Sequence, residues 1–247
     1  MSDLAEELRA IRRARIYFYH HSVGADVLAG LELLDAEIGG GRVRLETASE
    51  AFALDGPVLA HGGGGLNGQP RGKIDVFAHA LRAATRPKVD LALMKLCYVD
   101  FDPRTDADGL FAYYRTTLDG LERDLPGLRF AHVTAPLVRR PSDIKSSLRR
   151  TMGLQVWEDA ANARRAEFNH KLRGAFRPEL VFDLAAVESA GPDGHPTTLA
   201  VAGQGPASLH PRYTDDGGHL NAAGQQAAGR AAIRFLAGAL SGRRPTG

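Results

Sequence analysis

Residues 15–38, which read RIYFYHHSVGADVLAGLELLDAEI, are the most informative part of the sequence about the fold. An apolar run of strand length, Arg15–Tyr19, is followed after two histidines by Ser22. A run with apolar residues at helical spacing, Val23–Ile38, comes next and ends at Gly39–Gly41. The stretch therefore predicts a strand, a turn that carries Ser22, and a helix, which is the repeating unit of an α/β sheet.

The same alternation continues along the chain. Further strands are predicted at Arg42–Thr47, Val89–Tyr98, Arg129–Thr134 and Leu180–Leu184, and further helices at about Lys73–Thr85, Ala107–Asp124, Val156–Ala175 and Asn221–Leu240. Because Val89–Tyr98 is apolar almost throughout, we expect it to be covered on both faces at the sheet centre. Long loops are predicted at 61–72, 139–153 and 189–211. The sequence predicts an α/β protein with about five parallel strands, in one domain (1–247) with a tail at 241–247.

The totals exclude several classes of function. The chain has 31 basic and 29 acidic residues, so its net charge of +2 predicts neither a nucleic-acid nor a membrane partner. A lone cysteine, Cys97, excludes an intramolecular disulfide. The N-terminus lacks a secretory signal, and no run approaches the ~20 apolar residues of a membrane span. We expect a cytoplasmic protein. Its oligomeric state stays open, because the sequence shows no heptad pattern and no evident exposed apolar stripe.

A carboxylate and an imidazole lie three residues apart in Asp216-Gly217-Gly218-His219, just ahead of the last helix. A histidine held by an acid is the base that a serine hydroxyl needs before it can attack a carbonyl group. Ser22 is the candidate nucleophile, and its own N–H, at a helix N-terminus, can face a developing oxyanion. The predicted triad is Ser22, His219 and Asp216, and all three follow strands whose carboxyl ends share one sheet edge.

These motifs resemble those of the SGNH or GDSL-type hydrolases. The resemblance spans nearly the whole chain, from His20-His21-Ser22-Val23-Gly24 to Asp216-Gly217-Gly218-His219, with Asn221 and Gly224 after it. It implies a flavodoxin-like three-layer α/β/α sandwich and the hydrolysis or transfer of acyl groups without a cofactor or metal. The expected partner is a small-molecule ester or acylated substrate.

Two positions depart from the family's pattern. The family usually has Gly-Asp before its serine, where this chain has His20-His21, and an Asn that donates to the oxyanion, where this chain has Val99. A valine side chain cannot donate a hydrogen bond. Asn67, in a glycine-rich loop, is the predicted replacement donor, and Gly68 is the predicted backbone donor beside it.

Several roles stay open at this stage. His20 and His21 line the pocket, pack at the strand end, or bind a metal with Asp216 and His219. His21 and Tyr98 are predicted to contact substrate, and Cys97 is expected to be inert core. Lys95 and Asp100 pair with each other or shape the pocket.

The sequence predicts a serine-dependent acyl-ester hydrolase that works through an acyl-enzyme. Two other functions are kept. An acyltransferase would use the same triad with an acceptor other than water. A non-catalytic binding module would explain the loss of Gly-Asp before Ser22 and of the Asn at Val99.

Overall fold

The computed structural model describes residues 2–52, 55–83, 89–192, 194–198 and 205–241. Within these residues one sheet contains six strands, which are β1 (Arg15–Tyr19), β2 (Leu45–Thr47), β3 (Val58–Gly62), β4 (Leu91–Met94), β5 (Arg129–Val133) and β6 (Val181–Phe182). Every pairing in the sheet is parallel, and the strand order is β2-β3-β1-β4-β5-β6. The predicted parallel α/β architecture is confirmed.

The helices flank the sheet on both faces. Their bounds are α1 (Ser2–Ile11), α2 (Val23–Ile38), α3 (Ala48–Ala51), α4 (Pro70–Ala83), α5 (Ala107–Asp124), α6 (Ile144–Thr151), α7 (Trp157–Ala175), α8 (Leu184–Ser189) and α9 (Ala222–Ser241). Alternate β1 side chains point to opposite faces, as a strand requires. Ile16 and Phe18 pack with α1, α2, α8 and α9, whereas Tyr17 and Tyr19 pack with α4, α5 and α7. The result is the predicted three-layer α/β/α sandwich.

The strand beside β1 was missed by the sequence analysis. The prediction assigned the second strand to Arg42–Thr47, but β2 is a three-residue edge strand, and β3 is the one that pairs with β1. The short run that forms β3 lies between Gly56-Pro57 and the glycines after His61, so its composition is typical of a loop. If the edge strand β2 is left out and the other five strands are numbered again in chain order, the order is 2-1-3-4-5. This is the strand order of flavodoxin-like sheets.

Other boundaries differ less. The loop predicted at 139–153 contains α6, and α1 was not predicted. The central strand is shorter than Val89–Tyr98, because the chain leaves the sheet after Met94 and forms a 3₁₀ turn at Tyr98–Asp100. The end of the predicted helix at Thr85, parts of the loop at 189–211 and the tail after 241 lie outside the described residues. No helix in the described part is long and apolar enough to cross a bilayer.

Helices α2 and α9 pack backbone to backbone, which brings the chain's last helix against the one that follows β1. A Cβ added at Gly30 would lie 1.8 Å from the Gln225 carbonyl oxygen, and one at Gly229 would lie 2.3 Å from the Gly30 carbonyl carbon. Only glycine permits this approach. The turn that carries His219 precedes α9, so this contact helps to set its position above α2.

Candidate active site

Ser22 lies at the carboxyl end of β1, where the strand order changes direction. β1 pairs with β3 on one side and β4 on the other, and such switch points are where ligands bind in open α/β sheets. Ser22 precedes α2, but its side chain makes no capping hydrogen bond, so the hydroxyl is not used to stabilise the helix. Its Oγ is 3.7 Å from Sγ of Cys97, three residues after the end of β4.

Asp216 and His219 form a hydrogen-bonded pair. His219 Nδ1 is 2.6 Å from Asp216 Oδ2. Asp216 Oδ1 accepts from the backbone N–H groups of Gly218 and His219, each at 2.8 Å. The Gly218 N–H first, and then the His219 side chain and N–H, hold the pKa of this carboxyl well below its usual range. Neighbouring Asp215 instead accepts from Asn221 Nδ2 at 3.1 Å, so Asp216 is the acid that orients His219.

The protonation of His219 follows from this partner. An ionised carboxylate only accepts hydrogen bonds, so Nδ1 of a neutral His219 carries the proton and Nε2 is left as the acceptor. Nε2 faces the Tyr98 hydroxyl at 3.4 Å. Ser22 and His219 share no hydrogen bond in the described structure. They contact consecutive residues, Ser22 the side chain of Cys97 and His219 the side chain of Tyr98.

The turn that carries His219 is fixed to its surroundings by three contacts. The N–H of Leu220 donates to Asp26 Oδ2 in the first turn of α2 at 3.1 Å. The N–H of Arg139 donates to the Gly217 carbonyl at 2.8 Å. Gly218 lies so close to the Tyr98 ring that a Cβ would be 2.9 Å from it. Residues distant in the sequence therefore hold the imidazole beside α2 and Tyr98.

A buried ion pair organises the loop after β3 and the turn after β4. Lys73 and Asp100 are both fully buried, with Lys73 Nζ at 2.7 Å and 3.0 Å from the two carboxylate oxygens. Asp100 also accepts from the N–H groups of Cys97 at 2.7 Å and Gly68 at 3.0 Å. Of the two roles left open for Lys95 and Asp100, pairing with each other is not found, because Lys95 Nζ instead donates to the Leu96 carbonyl. Lys73 was not singled out in the sequence, where nothing marks it as the partner.

Gly68 and Asn67 differ in what they can offer a substrate. The Gly68 N–H donates to Asp100, so the prediction of Gly68 as an oxyanion donor does not fit the structure. The Asn67 Oδ1 accepts from Lys73 Nζ at 3.0 Å, and an ammonium group can only donate. This contact fixes the orientation of the amide and leaves the exposed Nδ2 as a donor without an acceptor in the described chain.

The two histidines before Ser22 have separate partners. His20 is buried, and its Nε2 is 3.2 Å from His61 Nδ1. Burial, with the nearby Lys95 and His61, lowers the pKa of His20 to about 3, so it is neutral. His21 Nε2 is 3.0 Å from the Gly64 carbonyl oxygen, to which it donates, and burial followed by Lys73 lowers its pKa. The described residues hold no cluster of three or more His, Cys, Asp or Glu side chains able to bind a metal.

Polar side chains of helix α7 bind the backbone of the segments that follow β4 and β5. Arg165 is buried and donates to the Tyr98 carbonyl from Nη2 at 2.6 Å and from Nε at 3.2 Å. Asn169 donates to and accepts from the backbone of Ala135, and Asn162 does the same at Val138. Asn162, Arg165 and Asn169 are spaced so that they lie on one face of α7. That spacing is the feature of the sequence from which these contacts could have been predicted.

An open cavity of about 550 Å³ lies between the start of α4 and the turn after β4, and Ser22, Asp216 and His219 are not among its lining residues. Its walls include Gly68, Arg71, Val99, Asp100, Arg104 and Leu110. Val99, at the position where the resemblance placed an Asn, therefore lines the cavity with an apolar surface. This space is large enough for a substituent of a small ester.

The chain is similar to a solved structure from Streptococcus pneumonia, provisionally named as a platelet activating factor. The match covers 95% of this chain and 91% of that chain, with 16% sequence identity and a TM-score of 0.52. The likeness is one of fold. No family model and no curated protein matches the chain.

Proposed function

We propose that the protein is a serine-dependent acyl-ester hydrolase of the SGNH type. The observation that carries the proposal is the Asp216–His219 pair, which leaves Nε2 of His219 as an acceptor beside Tyr98, the residue that follows the Ser22 contact Cys97. The resemblance of the serine and histidine motifs to that family, and the flavodoxin-like sheet, support the same conclusion.

In the proposed mechanism the Ser22 hydroxyl attacks the ester carbonyl carbon while His219 Nε2 takes its proton. The negative charge that forms on the carbonyl oxygen is stabilised by the Ser22 N–H and by Asn67 Nδ2. Collapse of this intermediate expels the alcohol, which takes the proton from His219. Water, activated by the same base, then releases the acid. Asp216 stays ionised throughout and stabilises the imidazolium.

The Ser22 hydroxyl must approach His219 when substrate binds. Catalytic hydrogen bonds are often long or absent without substrate and form in the complex. The ring of Tyr98 packs against His219, and its hydroxyl lies beside Nε2. A substrate that reaches Nε2 would displace this hydroxyl, which supports the predicted contact between Tyr98 and substrate. His21 fixes the glycine loop through Gly64, so we propose that it shapes the site.

Steady-state hydrolysis of p-nitrophenyl esters tests the proposal. Ser22→Ala is expected to abolish turnover, and Asp216→Asn to lower kcat by about 10⁴-fold, because Nδ1 of His219 then loses its ionised acceptor. The control Asp215→Asn, one residue away and bonded to Asn221, should leave kcat nearly unchanged. Unreduced hydrolysis by folded Ser22→Ala would overturn the assignment.

A further inference from the structure

Helix α6 exposes an apolar stripe to solvent. The exposed fractions are 87% for Ile144, 57% for Leu148 and 63% for Met152, and the following residues Leu154 (47%) and Trp157 (56%) are exposed as well. Residues four apart lie on the same side of a helix, so Ile144, Leu148 and Met152 form one line. We call these five residues the α6 surface. Contiguous exposed apolar residues mark interaction sites on soluble proteins.

Local devices, rather than packing, maintain α6. The helix has no buried residue. The Asp143 side chain caps its first turn by accepting from the Ser146 N–H at 2.9 Å. At the other end, the N–H groups of Gly153 and Leu154 donate to the carbonyls of Arg150 and Arg149, which is a Schellman motif. The motif brings Leu154 back toward the last turn. The helix is therefore held in shape while its apolar side stays uncovered.

Cations border the α6 surface. The segment 139–157 has five basic residues and one acidic residue, a net charge of +4 in a chain whose net charge is +2. Lys145 and Arg149 each follow an apolar residue of the stripe, so they lie beside it on the helix. The guanidinium of Arg149 donates to the Gln155 carbonyl, while Arg150 points away and pairs with Asp159.

A second copy of this chain is a poor occupant of the surface. In a two-fold dimer the same patch faces itself, so both +4 segments would be brought together and would repel each other. Basic residues beside an apolar stripe, with a tryptophan next to it, are instead the pattern of helices that lie in the interface of an anionic bilayer. Each cation near such a surface adds attraction.

We propose that the α6 surface docks the protein on bilayers that contain anionic phospholipids. The helix lies in the headgroup region, with Ile144, Leu148 and Met152 toward the acyl chains. Residue Arg139, at the start of the basic segment, is hydrogen-bonded to Gly217 in the turn of His219, so docking brings this sheet edge toward the lipid surface. The total net charge alone predicted no membrane partner, because it averages over this segment.

Co-sedimentation with vesicles tests the role of the cations. We expect binding to vesicles of equimolar phosphatidylcholine and phosphatidylglycerol, much weaker binding to phosphatidylcholine alone, and loss of binding at high salt. The double variant Lys145→Gln with Arg149→Gln should lower the partition coefficient about 30-fold. The matched control is Arg230→Gln with Arg234→Gln, two exposed arginines also four residues apart, on α9, which should bind as the wild type does.

A second pair of variants tests the contribution of the apolar side chains to vesicle binding. Leu148→Gln should weaken vesicle binding about tenfold. Leu33→Gln, at a leucine of similar exposure (59%) on α2, should not weaken it. Equal binding to both vesicle types, or equal losses in test and control variants, would overturn the proposal. So would self-association in solution that Leu148→Gln abolishes, together with no vesicle binding. Hydrolysis of a soluble ester should be unchanged in all these variants, so this test is independent of the proposed function.

Discussion

The orientation of the Asn67 side-chain amide is fixed, because its oxygen accepts a hydrogen bond from the buried ammonium group of Lys73. That ammonium is in turn held by Asp100, whose carboxylate also fixes the backbone of Gly68 and Cys97. The loop after β3 and the turn after β4 are thus joined through a single charge pair. In the proposed mechanism this fixed amide is the donor that takes the place of the Asn replaced by Val99, and a donor held in place before the reaction stabilises an oxyanion without reorganisation.

Replacing Asn67 by Asp separates the donor role from the structural one. The carboxylate of Asn67→Asp still accepts from Lys73, so the loop should keep its conformation, but it cannot donate to an oxyanion. We expect kcat for ester hydrolysis to fall by about 10²–10³-fold, with a midpoint of denaturation close to that of the wild type. Asn67→Ala should lose activity to a similar degree. An unchanged kcat in Asn67→Asp would remove Asn67 from the oxyanion hole.

Contacts between residues that are near each other in the sequence could be predicted. Asp216 and His219 are three residues apart at a turn, and their spacing alone predicts the contact that the structure shows. Lys73 and Asp100 are far apart, and the nearby Lys95 was the natural partner to expect. Which of two lysines reaches a carboxylate depends on the packing of α4 against the sheet, and no local pattern encodes that.

At the scale of elements, α2 shows how much a local signal can determine. Its bounds, Val23–Ile38, agree with the prediction because a strand end, apolar residues at helical spacing and three glycines all mark them. β3 carries no such marks, and it is a strand because β1 and β2 offer it hydrogen-bonding edges on both sides. Pairing of this kind comes from the assembled sheet, so short strands beside glycine-rich loops escape prediction.

The close crossing of α2 and α9 gives a prediction for stability. Gly229→Ala places a methyl group against the α2 backbone, which has no rotamer to relieve the clash, so the helices must separate. We expect the free energy of unfolding to fall by about 1–3 kcal/mol. Gly238→Ala, on the same helix with nothing within 4 Å of the added Cβ, should be neutral or stabilising by up to about 1 kcal/mol.

Urea denaturation of both variants measures the difference. A Gly229→Ala protein as stable as Gly238→Ala would show that the helices do not approach each other as closely as described.

For the whole molecule, buried neutral histidines link stability to pH. Burial, with Arg115 nearby, lowers the pKa of His132 to about 3, and its Nδ1 lies 2.8 Å from the Tyr114 hydroxyl. An unfolded histidine has a pKa of about 6.5. Between these values the unfolded chain binds a proton that the folded chain does not. This contribution to stability is therefore complete above about pH 6.5 and is lost as pH falls toward 3.

His132→Asn should be less stable than the wild type at pH 7 but lose less stability on acidification. We expect its free energy of unfolding to fall less steeply between pH 6.5 and 5, by about 1.1 kcal/mol per pH unit on average. The control is His79→Asn, which makes the same substitution at an exposed position on α4. Comparing the variants cancels other buried groups, such as Glu188, whose pKa burial raises to about 8. Identical slopes in all three proteins would contradict a neutral His132.

The net charge of the whole molecule conceals a local concentration of positive charge. Net charge is a sum over the chain, and it hides the basic segment at 139–157 that borders the α6 surface. The parallel sheet, by contrast, was predictable as a whole, because alternating strand and helix patterns leave few other arrangements. The sheet then accounts for the site, since the carboxyl ends of β1, β3 and β4 bring Ser22, Asn67 and Tyr98 to one edge.

Activation of Ser22 by His219 is the step on which the proposed function depends, and covalent labelling measures it. Wild type, Ser22→Ala and His219→Ala would each be incubated with a fluorophosphonate and measured by intact mass spectrometry, with peptide mapping of any adduct. We expect one adduct on Ser22 of the wild type, none on Ser22→Ala, and much slower labelling of His219→Ala. A folded wild-type protein that acquires no adduct, or an adduct that persists in Ser22→Ala, would contradict it.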